Sequence, residues 1–181
     1  MKGFSDCWKF LYFVIKIRNI YTKLEPVIRL FTDGSASPSR GVGAWAACAL
    51  MDDTEHLLDG TAGDTSQHTM ELVAVLKGLE FIQKHEKKVH RVHVYTDSQY
   101  VAGLPGRRER LERGRFFTKK GKPVKNSSLI RELYDWLDNY DIVLHRVSGH
   151  NKAGVSEITD YNRKVDKHSR ALVREMLRGD Q

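Results

Sequence analysis

The sequence has few cysteines, few prolines and no long apolar run. Two cysteines, Cys7 and Cys48, occur among 181 residues, which excludes a disulfide-rich framework. Cys48 lies in an apolar run at 45–51, so we expect a buried thiol and a reducing, cytoplasmic compartment. Four prolines, 40% hydrophobic residues and a mean hydropathy of −0.49 exclude collagen-like and disordered chains. The composition predicts one soluble globular core.

The apolar stretch near the start of the sequence, at 10–15, is too short to cross a membrane. Lys9, Lys16 and Arg18 bound it closely, whereas a spanning helix needs about 20 apolar residues. We therefore expect no membrane association. A signal peptide would need a small-residue cleavage site, which is not obvious here. We interpret residues 1–26 as a basic, apolar and poorly packed appendage that ends at Pro26, and residues 27–178 as the folded domain.

A basic segment at 107–125 holds the whole formal net charge. It contains nine basic and two acidic residues, which gives +7, the value for the full chain. A solvated surface is the simplest interpretation of a charge run. Phe116 and Phe117 lie within this one, however, and a concentrated patch with aromatic residues favours a polyanion such as nucleic acid.

The order of predicted elements indicates a mixed α/β sheet. Three short strands at 27–32, 43–51 and 55–61 are separated by turn residues, which suggests an antiparallel meander. A helix opens at Ser66 and runs to about residue 85, and a fourth strand follows at 91–96. A short helix at 98–104, a helix at 127–140, a fifth strand at 142–147 and a helix that Asp160 caps complete the chain. Strands followed by alternating helices and strands predict helices packed on a mixed sheet.

Four acidic residues lie at predicted strand ends or beside apolar residues of predicted helices, where they could take part in catalysis. Asp33 follows the first predicted strand, Asp97 ends the fourth, and Glu71 and Asp166 sit beside apolar residues of two helices. Taken singly, each could be a turn, capping or solvated residue. Taken together, they could meet beside one sheet. Converging carboxylates repel one another unless cations neutralise them, and hard oxygen ligands select Mg²⁺ or Mn²⁺. Beside a polyanion-binding patch, this arrangement favours phosphodiester chemistry.

These residues lie in motifs that resemble type 1 ribonuclease H over residues 27–176. The matching motifs, in the family's order, are FTDGS at 31–35, MEL at 70–72, YTDSQ at 95–99, PVKN at 123–126, SGH at 148–150 and NRKVD at 162–166. The resemblance implies the ribonuclease H-like fold, a five-stranded mixed sheet with three antiparallel strands and then two parallel ones, flanked by helices. It also implies endonucleolytic hydrolysis of the RNA strand of RNA/DNA hybrids, with 5′-phosphate and 3′-hydroxyl products.

The resemblance further implies a role for each matching position. Asp33, Glu71, Asp97 and Asp166 correspond to the family's metal-binding carboxylates, which hold two Mg²⁺ ions, with Mn²⁺ as a substitute. His150 matches a mobile-loop histidine that assists proton transfer or product release. His68 replaces an asparagine that the family commonly has, as does Ser39. Ser66 and Asn126 match positions that hold a phosphate of the DNA strand, and Gln67, His68 and Gln99 match positions that read the 2′-hydroxyls of RNA in the minor groove. The other implied substrate contacts are Ser39 and, in the basic segment, Arg113, Arg115, Lys119, Lys120 and Lys122.

Other functions remain open at this stage. A strand-transfer enzyme of the same fold would need additional DNA-binding domains. A catalytically silent hybrid-binding module would have a broken carboxylate set, and this set is complete. A ribonuclease H domain cut from a polyprotein would leave residues 1–26 as a linker fragment. We expect a standalone, monomeric chain. Phe116 and Phe117 either stack on deoxyribose or pack in the core.

Overall fold

The fold is built on five strands whose order differs from their order in the chain. The computed structural model describes residues 27–52, 54–86, 91–147 and 156–179. The strands are β1 Val27–Ser37, β2 Val42–Met51, β3 Thr54–Gly63, β4 Arg91–Thr96 and β5 Asp141–Arg146. The sheet order is β3-β2-β1-β4-β5. Strands β1, β2 and β3 pair antiparallel, whereas β4 pairs parallel to β1 and β5 parallel to β4. The predicted mixed sheet is confirmed.

Five helices accompany the sheet within the described residues. They are α1 Gln67–His85, α2 Gln99–Ala102, α3 Arg108–Arg113, α4 Ser127–Asn139 and α5 Glu157–Gly179, with a 3₁₀ turn at Pro105–Arg107 before α3. Ser66 opens α1 as predicted, because its Oγ accepts a hydrogen bond of 3.4 Å from the Thr69 amide. Among these helices, none has the length and apolar character that a bilayer crossing requires.

Alternation along β1 divides the core between the two faces of the sheet. Ile28 and Leu30 belong to a large apolar cluster that includes residues of α1 and α4, whereas Phe31 belongs to a second cluster with Val165 of α5. Successive side chains of a strand point to opposite faces, so the two clusters lie on either side of the sheet. Cys48 lies in the second cluster as a buried free thiol, as predicted.

The last helix begins earlier than the sequence predicted. Helix α5 starts at Glu157, and the Thr159 amide donates a hydrogen bond of 3.3 Å to Ser156 Oγ. The expected N-cap, Asp160, therefore lies inside the first turn. The prediction was wrong because Ser156 offers the same capping chemistry one turn earlier, beyond the apolar pattern from which the boundary was inferred.

The basic segment, residues 107–125, folds as a short helix followed by a tight turn. Phe117 and Pro123 form an isolated antiparallel bridge, and Arg115 and Phe116 both have positive φ. The Phe116 side chain is buried beneath Arg131, whose guanidinium carbon lies 3.8 Å from the ring centroid, whereas Phe117 is 54% exposed. Of the two alternatives considered for these phenylalanines, core packing therefore applies to Phe116. Phe117 faces solvent instead.

Candidate active site

Four different elements supply the four predicted carboxylates. Asp33 lies inside β1, opposite Ala46 of β2, and Asp97 follows the last residue of β4. Since β4 pairs parallel to β1 and Thr32 lies opposite Thr96, Asp33 and Asp97 lie at the same level of neighbouring strands. Glu71 belongs to the second turn of α1 and Asp166 to the middle of α5.

Asp33 does not follow the first strand, as the sequence suggested, but stands within it. Pairing between β1 and β2 continues through Ser37, so the turn and capping roles considered for Asp33 are excluded. The strand continues because Gly34 permits close packing. A Cβ built on Gly34 would lie 2.8 Å from Glu71 Cα and closer still to Glu71 N. The missing side chain lets the α1 backbone approach β1 beside Asp33.

Burial and like charge both act on Asp33. Its side chain is 8% exposed, and burial raises its pKa to about 7, with Asp97 and Asp166 adding to the rise. The Ser169 hydroxyl donates a hydrogen bond to Asp33 Oδ2, which opposes that rise. Asp33 is therefore an electrostatically unfavourable anion in this position, which a nearby cation would relieve.

Asp97 and Asp166 complete a mutually repelling trio with Asp33. Burial raises the pKa of Asp97 first, and the charge of Asp166 raises it further, while Arg170 and Arg146 oppose the change. Arg170 also pairs directly with Asp166, with 2.7 Å between Nε and Oδ1. The structure thus brings Asp33, Asp97 and Asp166 within electrostatic reach of one another.

Glu71 approaches the same region from the other face of the sheet. Its side chain is 7% exposed, and burial raises its pKa, with a smaller contribution from Asp97. Ser98 Oγ donates a hydrogen bond of 2.6 Å to Glu71 Oε2, and Gln67 Nε2 donates one of 3.2 Å to Oε1. Both oxygens of Glu71 are consequently fixed in direction by neighbouring side chains.

Three of the carboxylates each engage a neighbouring side chain. Within the described ranges, no three His, Cys, Asp or Glu side chains are placed to hold one ion among them. Arg170 engages Asp166, Ser169 engages Asp33 and Ser98 engages Glu71. The oxygen donors are those that hard divalent cations prefer, and their burial and mutual repulsion fit a counter-charge at this place.

Two predicted phosphate contacts meet through a residue that the sequence analysis did not single out. Ser66 Oγ lies 2.8 Å from Thr69 Oγ1, which also donates a hydrogen bond of 3.1 Å to Asn126 Oδ1. Asn126 has a φ of 61°, and its buried Nδ2 has no hydrogen-bond partner. The three residues thus form a small polar pocket with one unused amide donor, which suits an anionic oxygen.

The other predicted minor-groove residues differ in their surroundings. Gln67 contacts Glu71, and exposed His68 stacks on Tyr100 with 4.3 Å between ring centroids. Gln99 is exposed at the start of α2, and Ser39 is exposed in the turn between β1 and β2. Within the described residues, no side-chain hydrogen bond joins Ser39 or Gln99 to the carboxylates. The structure therefore connects Gln67 and His68 to the site most directly.

The predicted cationic contacts lie on the exposed part of the basic segment. Arg113 pairs with Glu109 on the same helix, and both side chains are largely exposed. In the ranges that the structure describes, the remaining four take part in no ion pair and are exposed to solvent; they are Arg115, Lys119, Lys120 and Lys122. They form a cationic tip around the exposed Phe117.

His150 lies outside the described residues, so its predicted role remains a prediction. The sequence analysis also gave no role to the residues that orient the carboxylates, namely Ser98, Ser169 and Arg170. Two signals were present in the sequence. Ser98 follows Asp97 directly, and Ser169 and Arg170 lie one turn after Asp166, on the same side of α5.

A mixed sheet that gathers acidic side chains beside a basic, aromatic surface is typical of nucleases that hydrolyse phosphodiester bonds. A family model described as RNase H matches residues 25–174. A ribonuclease H of a Bradyrhizobium species is 39% identical over 126 residues, covering 69% of this chain and 79% of the relative. One of Oleidesulfovibrio alaskensis is 34% identical, covering 74% and 85%.

The chain belongs to the ribonuclease H family. The predictions of an RNase H enzyme, and of a reaction that hydrolyses RNA paired with DNA, are confirmed by this membership. Enzymes of this family generally depend on a divalent metal ion.

Solved structures share the fold at low sequence identity. A type 1 RNase H with the type 2 active-site motif aligns with a TM-score of 0.66 and 17% identity, covering 83% of this chain and 73% of that one. The foamy viral protease-reverse transcriptase in complex with RNA/DNA hybrid aligns with a TM-score of 0.59 and 20% identity, covering 81% and 19%. At these identities the likeness shows the fold alone.

Proposed function

We propose that Asp33, Glu71, Asp97 and Asp166 form the active site at which this chain cuts the RNA strand of RNA/DNA hybrids internally. The observation that carries the proposal is the approach of four carboxylates from β1, α1, β4 and α5, three of which repel one another. Cleavage leaves 5′-phosphate and 3′-hydroxyl ends. One fold relative, the foamy viral protease-reverse transcriptase, has a solved structure in complex with an RNA/DNA hybrid.

The donor chemistry supports two Mg²⁺ ions per site, with Mn²⁺ as a substitute. All four donors are carboxylates, and burial raises the pKa of Asp33, Glu71 and Asp97, so each gains from a positive charge nearby. Ions bound there supply the charge that activates a water molecule and stabilises the departing 3′-oxygen.

The chain's own residues orient these donors. Ser98 and Gln67 fix the two oxygens of Glu71, and the Ser169 hydroxyl fixes Asp33 Oδ2. Arg170 holds Asp166 by a charged hydrogen bond of 2.7 Å. Fixing each carboxylate before substrate arrives reduces the reorganisation that catalysis requires. His150 assists proton transfer or product release in this proposal.

Substrate recognition uses two surfaces on either side of the carboxylates. The pocket of Ser66, Thr69 and Asn126 holds a phosphate of the DNA strand with its unpaired amide. The cationic tip of the basic segment grips the same strand through its charge. Gln67, His68 and Gln99, together with Ser39, face the 2′-hydroxyls of the RNA strand, which distinguish RNA from DNA.

Three further features complete the proposal. The domain at 27–178 acts as a monomer, and residues 1–26 are an appendage to it. The free, buried thiol of Cys48 supports a reducing, cytoplasmic compartment.

Cleavage of a labelled RNA strand tests the function directly. The strand is supplied alone, in an RNA duplex and in an RNA/DNA hybrid, with Mg²⁺ or with EDTA. We expect cutting of the hybrid only, in Mg²⁺ only, and its loss in Asp97→Asn. Asp135→Asn, an exposed aspartate of α4, is the matched control and retains activity. Binding of the hybrid without any cutting would instead identify a silent binding module.

A further inference from the structure

A stack of three side chains connects the carboxylate site to the basic segment. The rings of His68 in α1 and Tyr100 in α2 are 4.3 Å apart and inclined by 19°. The guanidinium carbon of Arg107 lies 5.0 Å from the centroid of the Tyr100 ring. The stack therefore spans three structural elements, which are α1, α2 and the 3₁₀ turn.

Tyr100, the middle member of the stack, and Arg107, at one end of it, are held firmly. Arg107 Nε donates a hydrogen bond of 3.1 Å to Gly103 O, and Arg107 Nη2 donates another to Tyr100 O. The Tyr100 side chain is half-buried between its two partners. No described hydrogen bond uses the Tyr100 hydroxyl, so its ring acts by packing alone. Stacking and cation–π contacts of this kind restrict a side chain to one orientation.

The outer member, His68, faces solvent beside the carboxylates. It is exposed and lies three residues before Glu71, one turn earlier on the same helix. An exposed imidazole at this place carries a donor and an acceptor toward any strand that lies on Glu71. At the other end, Arg107 is the first residue of the basic segment.

We propose that Tyr100 and Arg107 are positioning residues that hold the His68 imidazole ready for the RNA strand. The proposal rests on the proposed function and deepens it. Ordering a side chain only on binding would weaken binding about 3- to 10-fold, and the stack avoids that loss.

Steady-state kinetics and hybrid binding test this arrangement. Tyr100→Leu and His68→Ala are each expected to raise KM about 3- to 10-fold with kcat within about 2-fold of wild type. Tyr100→Phe keeps the ring and restores the wild-type KM. The double variant is no worse than either single variant, because both remove one ordered imidazole. Dissociation constants for the hybrid in EDTA, where no cutting occurs, change by the same factor.

Two controls separate positioning from general stability. Tyr140→Leu removes another half-buried tyrosine, whose ring lies tilted against Trp136 with 4.8 Å between ring centroids, and leaves KM unchanged. Arg107→Met keeps a side chain of similar volume but removes the charge, and we expect it to raise KM. It therefore tests the stack independently if Tyr100→Leu lowers the melting temperature. Additive effects in the double variant, or an unchanged KM and dissociation constant in Tyr100→Leu, overturn the stack's role. A wild type that binds hybrid without cutting it contradicts the proposed function instead, and the dissociation constants still test the stack.

Discussion

Ser98 Oγ donates a hydrogen bond of 2.6 Å to Glu71 Oε2 and accepts one of 3.1 Å from the Val101 amide. One hydroxyl thus joins the carboxylate site to the start of α2. Ser98→Ala leaves both groups without this partner, and Ser98 is only 6% exposed. We expect a loss of about 1–2 kcal/mol in unfolding free energy and a kcat reduced about 3- to 10-fold.

Chemical denaturation and single-turnover cleavage measure these two effects of Ser98→Ala. Ser127→Ala, at the first residue of α4, is the matched control. Equal losses in the two variants would mean that Ser98 contributes no more than an ordinary serine near a helix start.

The stability of the chain in EDTA depends on the charge of Asp33. Burial raises the pKa of Asp33 from 3.8 to about 7, so the folded protein holds this proton more tightly than the unfolded chain. Its contribution is fully present below about pH 4 and is lost as the pH rises to about 7. Asp33→Asn should therefore be more stable than wild type above pH 7, by about 2–4 kcal/mol, and the gain should disappear near pH 4.

Urea denaturation from pH 4 to 8 in EDTA tests the Asp33→Asn prediction. Asp135→Asn again controls for the amide substitution at an exposed position. A gain that is constant with pH would show that the benefit of the asparagine is unrelated to the charge of Asp33.

Adding Mg²⁺ should raise the melting temperature of the wild type. A cation bound only by the folded protein stabilises it by about 2.7 kcal/mol at 100 times its dissociation constant. Because Asp33 and Asp97 repel each other, the rise should be smaller in Asp33→Asn. Differential scanning fluorimetry with NaCl at matched ionic strength separates specific binding from screening. Identical shifts with the two salts would argue against a metal site.

The two neighbouring phenylalanines should respond in opposite ways to truncation. Phe116 is 5% exposed and lies against Tyr134 and Arg131, whereas Phe117 is 54% exposed. Phe116→Ala should cost about 3–5 kcal/mol of unfolding free energy. Phe117→Ala should cost about 0.5 kcal/mol or less and weaken hybrid binding in EDTA. Denaturation and fluorescence anisotropy measure the two effects, and a destabilised Phe117→Ala would place its ring in the core instead.

A histidine pair between β4 and β5 should make the fold sensitive to acid. His145 Nε2 lies 3.2 Å from His93 Nδ1, and burial, followed by the charges of His145 and Arg91, lowers the pKa of His93 from 6.5. A lowered pKa means that stability is fully present above pH 6.5 and is lost as the pH falls below it. Between pH 7 and pH 5, the melting temperature of His93→Gln should therefore fall less than that of the wild type. Parallel curves over that range would contradict the assignment.

The sequence predicted the elements well and their ends less well. Periodic apolar residues and the Ser66 cap placed α1 correctly, because both signals are local. The end of β1 was misjudged, since a DGS sequence usually favours a turn. Here strand pairing with β2 and the space that Gly34 leaves for α1 outweigh that local preference. Long-range packing of this kind has no signature in the residues around Asp33.

The sequence analysis predicted the acidic residues of the candidate site but not the residues that orient them. Acidic residues in recognisable motifs point to chemistry, whereas Ser98 and Ser169 are ordinary small polar residues until the fold places them on Glu71 and Asp33. Similarly, Phe116 and Phe117 cannot be told apart from composition. Their difference depends on the positive φ of Arg115 and Phe116, which turns one ring inward.

At Gly34, only a hydrogen atom stands where any other residue would place a Cβ between β1 and α1. Asp33 belongs to β1 and Glu71 to α1, and the backbones of these two elements come into close contact where Gly34 faces Glu71. A single methyl group there would act as a wedge, pushing the start of α1 outward and carrying Glu71 away from Asp33. The spacing between these two acidic residues therefore depends on residue 34, which has no reactive group. A substitution at residue 34 would change that spacing without altering either acid.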